Sequence, residues 1–467
     1  MKNNTPRIMI TALRGGSGKT IITLGLASTF INKNKKISTF KKGPDFIDAG
    51  WLTFASGSSC HNLDPFLMSE KAILDSVALN SSNKDISLIE GNRGLFDGMN
   101  VDGQYSTAEL AKLTKSPVII IVDVTMCTRT VAALIMGCQH FDPEVNISGI
   151  ILNRVAGPRQ ENLIKSSIEK YCKIPVIGAI PKLKDNPFPE RHMGLVPHFE
   201  SNYASDAVNW ARSVVENHID AGFIEDIACK ADPLPSSGSK AADTIRNNAR
   251  SCRIGIMRDK AFWFYYPENI ELLEELGAEI VEINSLTDNS LPDIDALYIG
   301  GGFPEVCAEQ LARNISFRDS IREMIDKDLP VYAECGGLIY LGEGLELNGK
   351  TYPMVGALPI KFIMEKKPQG HGYTILKVSK PNPFYSTGET IKGHEFHYSR
   401  PVISEGKEIT AVFDVERGFC LDGEKDGFCR KNLFATYTHI HAAGNRSWGE
   451  GLFNAAICYK KACEKKY

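Results

Sequence analysis

Arg7-Ile-Met-Ile-Thr11 runs directly into Ala12-Leu-Arg-Gly-Gly-Ser-Gly-Lys-Thr20, and this segment indicates the fold of the first half of the chain. Its apolar residues predict a buried strand, and the apolar spacing that follows predicts a helix over 20–32. A glycine loop between a strand and a helix turns backbone N–H groups toward phosphate oxygens, and the helix dipole favours their charge. The segment therefore predicts a nucleotide-binding loop in which Lys19 contacts the outer phosphates and Thr20 holds Mg2+.

The loop departs from the usual pattern G-x-x-x-x-G-K-S/T at one position, because Leu13 stands where the first glycine is expected. The alternative interpretation is a glycine-rich turn that binds nothing, but the intact Gly-Ser-Gly-Lys-Thr ending favours a nucleotide. Asn153 ends a later predicted strand, where it could border the base, although asparagine at a strand end is usually a turn former. The predicted nucleotide-binding residues are Gly15, Gly16, Ser17, Gly18, Lys19, Thr20 and Asn153.

Two acidic segments each follow another predicted strand. They are Lys41-Lys-Gly-Pro-Asp-Phe-Ile-Asp48 and Glu90-Gly-Asn-Arg-Gly-Leu-Phe-Asp97. Ligands of parallel sheets bind at the carboxyl ends of the strands, and Mg2+ prefers hard oxygen ligands. Asp45 and Glu90 are therefore expected to join Thr20 at Mg2+. The alternative is that these acids are ordinary solvated loop residues.

Short β-branched runs alternate with helix-length segments, which predicts βαβ units and mostly parallel sheets. In the first half, the predicted strands cover 7–11, 86–90, 117–122, 148–152 and 175–180. A segment rich in Pro, Ser and Gly follows and has the composition of a linker. The predicted fold is two three-layer α/β domains, over 1–231 and 253–467, joined by a linker over 232–252.

A second candidate site lies in Pro330-Val-Tyr-Ala-Glu-Cys-Gly-Gly-Leu-Ile-Tyr-Leu341, which predicts a strand, a tight turn and the start of a helix. This is the arrangement of a nucleophile elbow with Cys335 at the turn, where the helix N-terminus is expected to lower the pKa of the thiol. The N–H of Gly336, with one from a second glycine loop around Gly301, is expected to stabilise an oxyanion. The alternative is a buried core cysteine beside a glycine turn.

A nucleophilic cysteine needs a base, and histidine is the usual partner. His439 and His441 follow a predicted strand over 432–437, and from the residues alone either one fits. The weaker candidates are His192, His198, His371, His394 and His397.

Composition excludes several classes of protein. The 467 residues include 53 Lys and Arg against 56 Asp and Glu, a net charge of −3, which gives no electrostatic case for coating nucleic acid. The twelve cysteines contain no C-x-x-C pair, so the usual zinc and iron–sulfur spacings are missing. We find no signal-peptide pattern and no apolar run long enough to span a bilayer. We expect a cytoplasmic protein that binds small molecules, with no nucleic-acid or membrane partner.

Five longer segments stand in order along the chain. They are Phe40-Lys-Lys-Gly-Pro-Asp-Phe-Ile-Asp48, Glu90-Gly-Asn-Arg-Gly-Leu-Phe-Asp-Gly98, Gly300-Gly-Gly-Phe-Pro-Glu305, Ala333-Glu-Cys-Gly-Gly-Leu338 and Gly393-His-Glu-Phe-His-Tyr-Ser399. Together they resemble the cobyrinate a,c-diamide synthase family. The resemblance covers essentially the whole chain, and motifs this long are jointly specific.

The resemblance implies a dethiobiotin-synthetase-like, ATP-binding P-loop domain followed by a class I glutamine amidotransferase-like domain. The family amidates the a and c acetate side chains of a tetrapyrrole-derived macrocycle, using ATP, Mg2+ and glutamine or ammonia. By the family motifs, Cys335 would attack the glutamine amide and His439 would raise its nucleophilicity. Related amidotransferases carry a glutamate two residues after this histidine, and the presence of His441 there favours a Cys–His dyad.

The resemblance also implies that Lys41, Asp48 and Asp97 lie near the tetrapyrrole carboxylate, and a homodimer is the candidate assembly. One alternative is the same amidation on another macrocycle, namely hydrogenobyrinate, nickel-sirohydrochlorin or sirohaem. The other alternative is a P-loop ATPase that partitions or scaffolds other molecules.

Overall fold

The computed structural model of this chain describes residues 5–184, 186–188, 190–191, 194–200, 203–235, 251–407 and 409–465. Contacts between Cα atoms divide the chain into two compact units, Met1–Asp243 and Thr244–Tyr467. Most of the predicted linker, 232–252, lies outside the described residues. Among the described residues, no helix combines the length and the apolar character needed to cross a membrane.

The first unit is built from short strands and longer helices in alternation. Its strands are β1 Arg7–Ala12, β2 Ile37–Lys42, β3 Cys60–Leu63, β4 Ile86–Glu90, β5 Val118–Asp123, β6 Ile147–Val155, β7 Val176–Pro181, β8 Glu190–Arg191 and β9 Gly194–Leu195. Its helices are α1 Lys19–Asn32, α2 Ile47–Ser56, α3 Glu70–Asn80, α4 Thr107–Leu113, α5 Thr130–Phe141, α6 Pro158–Cys172, α7 Ala204–His218 and α8 Ala221–Cys229. The predicted strand over 117–122 begins at Val118 instead, because Pro117 has no N–H for the ladder.

Seven of these strands form one parallel sheet in the order β3-β2-β4-β1-β5-β6-β7. Every residue of β1, β2 and β4 is buried, as expected for strands of a parallel sheet that is covered on both faces. The register pairs Glu90 with Ile10 on one side and with Lys41 on the other. The carboxyl ends of β1, β2 and β4 therefore lie side by side, immediately next to the loop that opens α1.

The second unit has more strands and fewer helices. Its strands are β10 Cys252–Met257, β11 Ala278–Ile283, β12 Ala296–Ile299, β13 Val331–Glu334, β14 Gly344–Leu347, β15 Lys350–Pro353, β16 Ile360–Met364, β17 Gly370–Val378, β18 Thr390–His397, β19 Ser399–Ile403, β20 Thr410–Arg417, β21 Lys425–Arg430, β22 Leu433–Thr436 and β23 His439–Ile440. Its helices are α9 Pro267–Glu275, α10 Ala308–Arg313, α11 Ile315–Asp326, α12 Gly336–Leu341 and α13 Arg446–Glu464.

Ten of these strands form a mixed sheet in the order β11-β10-β12-β13-β22-β21-β20-β17-β18-β23. The pairs from β11 to β22 are parallel, and the remaining pairs are antiparallel. The parallel half matches the expected pattern, whereas the antiparallel strands within 344–430 were not foreseen. The α/β fold class, with a parallel phosphate-loop unit followed by a second α/β unit, is confirmed.

Candidate active sites

The phosphate loop joins β1 to α1 through a backbone that requires glycine. Gly16 and Gly18 have φ angles of 70° and 92°, in the left-handed region where other residues are strained. The side-chain amide of Asn153 donates a hydrogen bond to the Ser17 carbonyl at 2.9 Å, and a Cβ at Gly18 would lie 2.7 Å from the same nitrogen. Asn153 therefore supports the loop directly, while its predicted contact with a base stays a prediction.

Lys19, the first residue of α1, points its ammonium group across the loop. Nζ donates to the Arg93 carbonyl at 2.7 Å and to the Arg14 carbonyl at 3.2 Å. Burial, together with the nearby charge of Lys41, lowers the pKa of Lys19. Among the described residues, the hydrogen bonds of this buried ammonium group go to neutral carbonyls, so the group is available to a stronger anionic partner such as a phosphate.

Four of the predicted residues meet at the carboxyl ends of β2 and β4. Lys41 Nζ lies 2.6 Å from Asp48 Oδ2 and 2.7 Å from Glu90 Oε1, and Thr20 Oγ1 donates to the same Glu90 oxygen at 2.8 Å. Burial lowers the pKa of Lys41, but the two carboxylates outweigh this and raise it overall. Burial raises the pKa of Glu90 despite the opposing effect of Lys41. Thr20, Lys41, Asp48 and Glu90 thus form one polar cluster, called here the carboxylate cluster.

Asp45 and Asp97 lie at the edge of this cluster. Asp45 Oδ1 accepts the backbone N–H of Asp48 at 3.1 Å, and burial followed by the charge of Asp48 raises the pKa of Asp45 to about 6. Asp97 Oδ2 accepts the N–H of Gly94 at 2.8 Å, and its charge acts on Lys19. Asp45 therefore lies beside the carboxylate cluster at Asp48, and Asp97 lies near Lys19 of the phosphate loop.

The carboxylate cluster fits Mg2+ in one specific respect. Glu90 Oε2 is buried and has no hydrogen-bond partner among the residues the structure describes. Within that same part of the chain, no group of three or more His, Cys, Asp or Glu side chains is arranged to hold a metal. Mg2+ does not need such a group, because it keeps several waters and takes only one or two carboxylates. Glu90 and Thr20 are the residues best suited to it.

Sequence reasoning missed two arginines beside the phosphate loop. Asp123, at the end of β5, accepts hydrogen bonds from Arg14 at 2.9 Å and from Arg154 at 2.7 Å. Burial raises the pKa of Asp123, but hydrogen bonds from Thr125 and the two arginines outweigh it and lower the pKa to about 2. Two features of the sequence could have predicted this ion pair, namely an arginine inside the phosphate loop and an acid at the end of a strand.

The second site is an elbow between β13 and α12. Cys335 has φ 46° and ψ −97°, an unusual conformation for a residue with a side chain. A Cβ at Gly337 would lie 2.5 Å from the Ile299 carbonyl, and one at Gly336 would lie 3.0 Å from the nitrogen of Gly302. Small residues are therefore required after the cysteine, as the elbow predicted. Gly302 of the second glycine loop lies next to Gly336, and the oxyanion role of Gly301 stays a prediction.

The thiol of Cys335 is buried. Sγ lies 3.8 Å from the Phe396 carbonyl. Burial, followed by the charges of Glu305 and Glu334, raises the pKa of Cys335. The backbone N–H of Gly336, at the start of α12, lowers this pKa as expected, but burial and the two acids outweigh it, so the expected net lowering is wrong. The raised pKa favours the neutral thiol near pH 7.

His439 lies on β23 in an aromatic environment. Its ring centroid is 4.3 Å from that of Phe264 and 4.9 Å from that of His394, with which it is stacked. A Cβ at Gly301 would lie 2.3 Å from His439 Cε1, so Gly301 packs against the imidazole. Burial, then His394 and His397, lower the pKa of His439 well below its ordinary value. The imidazole is neutral near pH 7 and can accept a proton.

Two acids that sequence reasoning missed, the buried Glu334 and the largely buried Glu268, face the two candidate histidines. Glu334 Oε2 lies 3.4 Å from His439 Nδ1, and Glu268 Oε2 lies 3.6 Å from His441 Nε2. The local signal for Glu334 was an acid inside the otherwise apolar strand β13, immediately before the cysteine. The structure thus gives each histidine a different acidic neighbour.

Comparisons with known proteins cover both units. A family model for the CobQ/CobB/MinD/ParA nucleotide binding domain matches residues 8–196, and one for the CobB/CobQ-like glutamine amidotransferase domain matches residues 253–447. A solved structure of a glutamine amidotransferase covers 44% of this chain and 98% of its own, at 18% identity and a TM-score of 0.33.

The similar curated proteins include full-length relatives. A cobyrinate a,c-diamide synthase from Magnetococcus marinus is 41% identical over 458 residues, 97% of each chain. The protein of the same name from Archaeoglobus fulgidus is 40% identical over 99% of this chain and 98% of its own. The one from Leptospira interrogans is 36% identical over 98% of this chain and its full length. These matches confirm the resemblance, and the chain belongs to the cobyrinate a,c-diamide synthase family of glutamine-dependent amide ligases.

Proposed function

We propose that this chain amidates the a and c acetate carboxylates of cobyrinate in cobalamin biosynthesis, with ATP as the activating substrate and glutamine as the nitrogen donor. The observation that carries the proposal is the joint presence of two distinct reactive centres in one chain whose full-length relatives bear that name. One centre combines a phosphate loop with buried carboxylates, and the other combines a strained cysteine with a neutral histidine.

Activation of the carboxylate belongs to the first unit. A carboxylate does not react with ammonia because its leaving group would be oxide, whereas an acyl phosphate loses phosphate readily. In the proposed step, an acetate oxygen attacks the γ-phosphorus of ATP, ADP leaves, and the acyl phosphate forms. Lys19 stabilises the charge on the transferring phosphoryl group, since the hydrogen bonds that its ammonium group makes to described residues go to carbonyl oxygens.

Mg2+ is held in this proposal by Thr20 and Glu90, with Asp45 at its margin. Bound Mg2+ supplies neutralisation of charge on the phosphate oxygens. Lys41 and Asp48 remain paired and, with Asp97, orient the substrate carboxylate toward the phosphate loop.

Release of ammonia belongs to the second unit. The Cys335 thiol adds to the glutamine side-chain amide carbon as its proton passes to His439, and the N–H of Gly336 stabilises the oxyanion. His439 then gives the proton to the departing ammonia, which leaves a thioester on Cys335. Water hydrolyses the thioester to glutamate. The free ammonia attacks the acyl phosphate, and inorganic phosphate leaves.

The direct test is the product of the purified chain given cobyrinate, ATP, Mg2+ and glutamine. Mass spectrometry should show a monoamide first and a diamide second. Each amidation replaces one carboxyl oxygen by NH. Labelling the acetate oxygens isotopically should move one labelled oxygen per amide into inorganic phosphate. Amidation with no label in phosphate would eliminate the acyl phosphate.

The same assay separates the remaining candidates. Hydrogenobyrinate, nickel-sirohydrochlorin and sirohaem present comparable acetate groups, so preferential amidation of one of them would replace cobyrinate as the substrate. ATP hydrolysis without amidation of any macrocycle would favour the partitioning or scaffolding ATPase. The glutamine amidotransferase match over 253–447 supports the amidase.

A further inference from the structure

Glu334 is the last residue of β13, directly before the cysteine of the elbow. Its register opposite Thr436 of β22 is fixed by the parallel sheet. Only 2% of the side chain is exposed, although carboxylates are rarely buried without a reason. The sheet therefore holds this carboxyl group in one place, with little freedom to turn toward solvent.

Both carboxyl oxygens of Glu334 face defined neighbours. Oε1 accepts the backbone N–H of Ile440 at 3.3 Å, and the carboxyl group also accepts a hydrogen bond from the Tyr298 hydroxyl. Oε2 is left facing Nδ1 of His439 at 3.4 Å. Because Ile440 follows His439 on β23, one carboxyl group holds both the backbone and the ring of the histidine segment.

Within the part of the chain that the structure describes, Nδ1 of His439 has no other partner to orient it. The atom is buried and forms no hydrogen bond by strict geometry within the described part of the chain. The distance of 3.4 Å to Glu334 is longer than an ideal hydrogen bond, but such bonds are often long in unliganded sites and shorten when substrate binds.

The position two residues after His439 does not supply this contact. His441 stands there, and its Nε2 lies 3.6 Å from Glu268 while its Nδ1 accepts the N–H of Ala443 at 3.3 Å. His441 is thus held in a different acid–histidine pair. Its ring also lies 4.6 Å from that of Tyr266.

We propose that Glu334 is the positioning residue of the glutaminase site, holding His439 with its proton on Nδ1 so that Nε2 accepts the proton of Cys335. This inference rests on the glutaminase function proposed above. A neutral imidazole has one donor and one acceptor nitrogen, and a carboxylate beside Nδ1 makes that nitrogen the donor. In the sequence, the acid that completes the site therefore stands directly before the nucleophile Cys335, and not two residues after His439.

The charge balance favours this arrangement during the reaction. Burial raises the pKa of Glu334, and the hydrogen bonds from the Ile440 N–H and the Tyr298 hydroxyl oppose this and favour its carboxylate form, while burial lowers the pKa of His439. When the thiol proton reaches Nε2, the imidazolium stands next to Glu334 and favours its carboxylate form. Glu334 then stabilises the imidazolium that donates a proton to ammonia.

The test compares E334Q, E334D and E268Q in the full-length chain, by steady-state glutamine hydrolysis. In E334Q the side-chain NH2 donates to Nδ1 and forces the proton onto Nε2, so we expect kcat to fall by at least about 100-fold. The KM for glutamine should stay within about threefold, because Glu334 does not bind the substrate. E334D keeps the carboxylate and should recover a substantial part of kcat.

The matched control E268Q alters the other acid–histidine pair and should leave kcat within about threefold of the wild type. Equal losses in E268Q and E334Q would overturn the proposal, as would wild-type kcat in E334Q or no recovery in E334D. If E334Q misfolded and also lost ammonia-dependent amidation, the kcat of E334D alone would decide whether the carboxylate positions His439. A wild-type chain without glutaminase activity would instead overturn the proposed function.

Discussion

Cys335 combines a strained backbone with a thiol kept in its neutral form. The positive φ angle aims the side chain at the turn, while burial and two acidic neighbours disfavour the thiolate. Such a thiol depends on proton transfer to a base at the moment of attack. Resting reactivity should therefore be low even though this residue is the proposed nucleophile.

This difference is measurable by alkylation. Without glutamine at pH 7, iodoacetamide should modify Cys335 more slowly than the exposed Cys229 and Cys458. Because its pKa is raised, the rate at Cys335 should increase as the pH rises into the alkaline range. Peptide mass spectrometry gives the rate at each cysteine, and fast modification of Cys335 at pH 7 would contradict the neutral-thiol description.

Replacement of Lys19 tests the phosphate loop. We expect K19A to lower amidation by at least about 100-fold with either glutamine or ammonia as nitrogen source, because a charge on the transferring phosphoryl group is left unstabilised. Glutamine hydrolysis should be retained. K33A, which changes an exposed lysine just past the end of the same helix, should match the wild type. Full amidation by K19A would remove Lys19 from the site.

The members of the carboxylate cluster could be predicted from the sequence, whereas the neighbours of the histidines could not. Lys41 and Glu90 each stand at the end of a predicted strand, and parallel strands bring their carboxyl ends to one edge. The contact of Glu334 with His439 joins residues 105 positions apart through a sheet order that local patterns do not contain.

The two sites use the same structural element, a buried parallel strand that ends in a turn of positive φ and passes into a helix. In the first, β1 leads through Gly18 into α1, and in the second, β13 leads through Cys335 into α12. A glycine at the turn leaves backbone N–H groups accessible to an anion, whereas a cysteine there presents a nucleophile. The residue at the turn therefore sets the chemistry of the element.

Packing of α1 against α7 gives a prediction for stability. A Cβ at Gly25 would lie 2.4 Å from the Ala211 carbonyl, so G25A should destabilise the first unit by about 1–3 kcal/mol. The matched control is G137A on α5, where nothing lies within 4 Å of the added methyl group. This control should stabilise the helix by about 0.5–1 kcal/mol.

Hydrogen–deuterium exchange under mild denaturant measures both effects on their own helices. Protection of α1 and α7 should fall in G25A, while protection of α5 should rise or stay level in G137A. Unchanged exchange protection of α1 and α7 in G25A would mean that the two helices accommodate the methyl group with no loss of stability.

Parallel strands were easier to predict than antiparallel ones. The buried strands β1, β4 and β5 are mostly apolar and stand out in the sequence. Strands β17 and β20 alternate buried and exposed residues imperfectly, and their pairing contains a bulge near Ile375. Pattern alone does not distinguish such strands from loops, so the antiparallel half of the second sheet appeared only in the structure.

At the scale of the whole molecule, the proposed function gives the chain two chemistries, glutamine hydrolysis and carboxylate activation, linked by ammonia. The chain divides into two compact units, and the predicted domain boundaries stay a prediction. The net charge of −3 suits small anionic substrates better than a nucleic-acid polymer. The homodimer and the cytoplasmic location also stay predictions.

Separation of the two chemistries can be tested by replacing the nucleophile. C335S should abolish glutamine hydrolysis and glutamine-dependent amidation, because the thioester does not form. Amidation with ammonium salt should remain within about threefold of the wild type, since Lys19 and the carboxylate cluster are intact. The control C252S replaces a buried cysteine away from the elbow and should keep both activities. Loss of the ammonia-dependent activity in folded C335S would contradict two independent centres.

The ammonium group of Lys41 bridges Asp48 and Glu90 within the described site and serves as a resident counter-ion. In the proposed function, a divalent cation reaches Glu90 at Oε2, the oxygen that Lys41 does not contact. Lys41 stays paired with Asp48 and Glu90 whether or not the cation is present, and its charge limits repulsion between the two acids. We therefore expect binding and release of a metal–nucleotide complex to leave the fold around these acids unchanged.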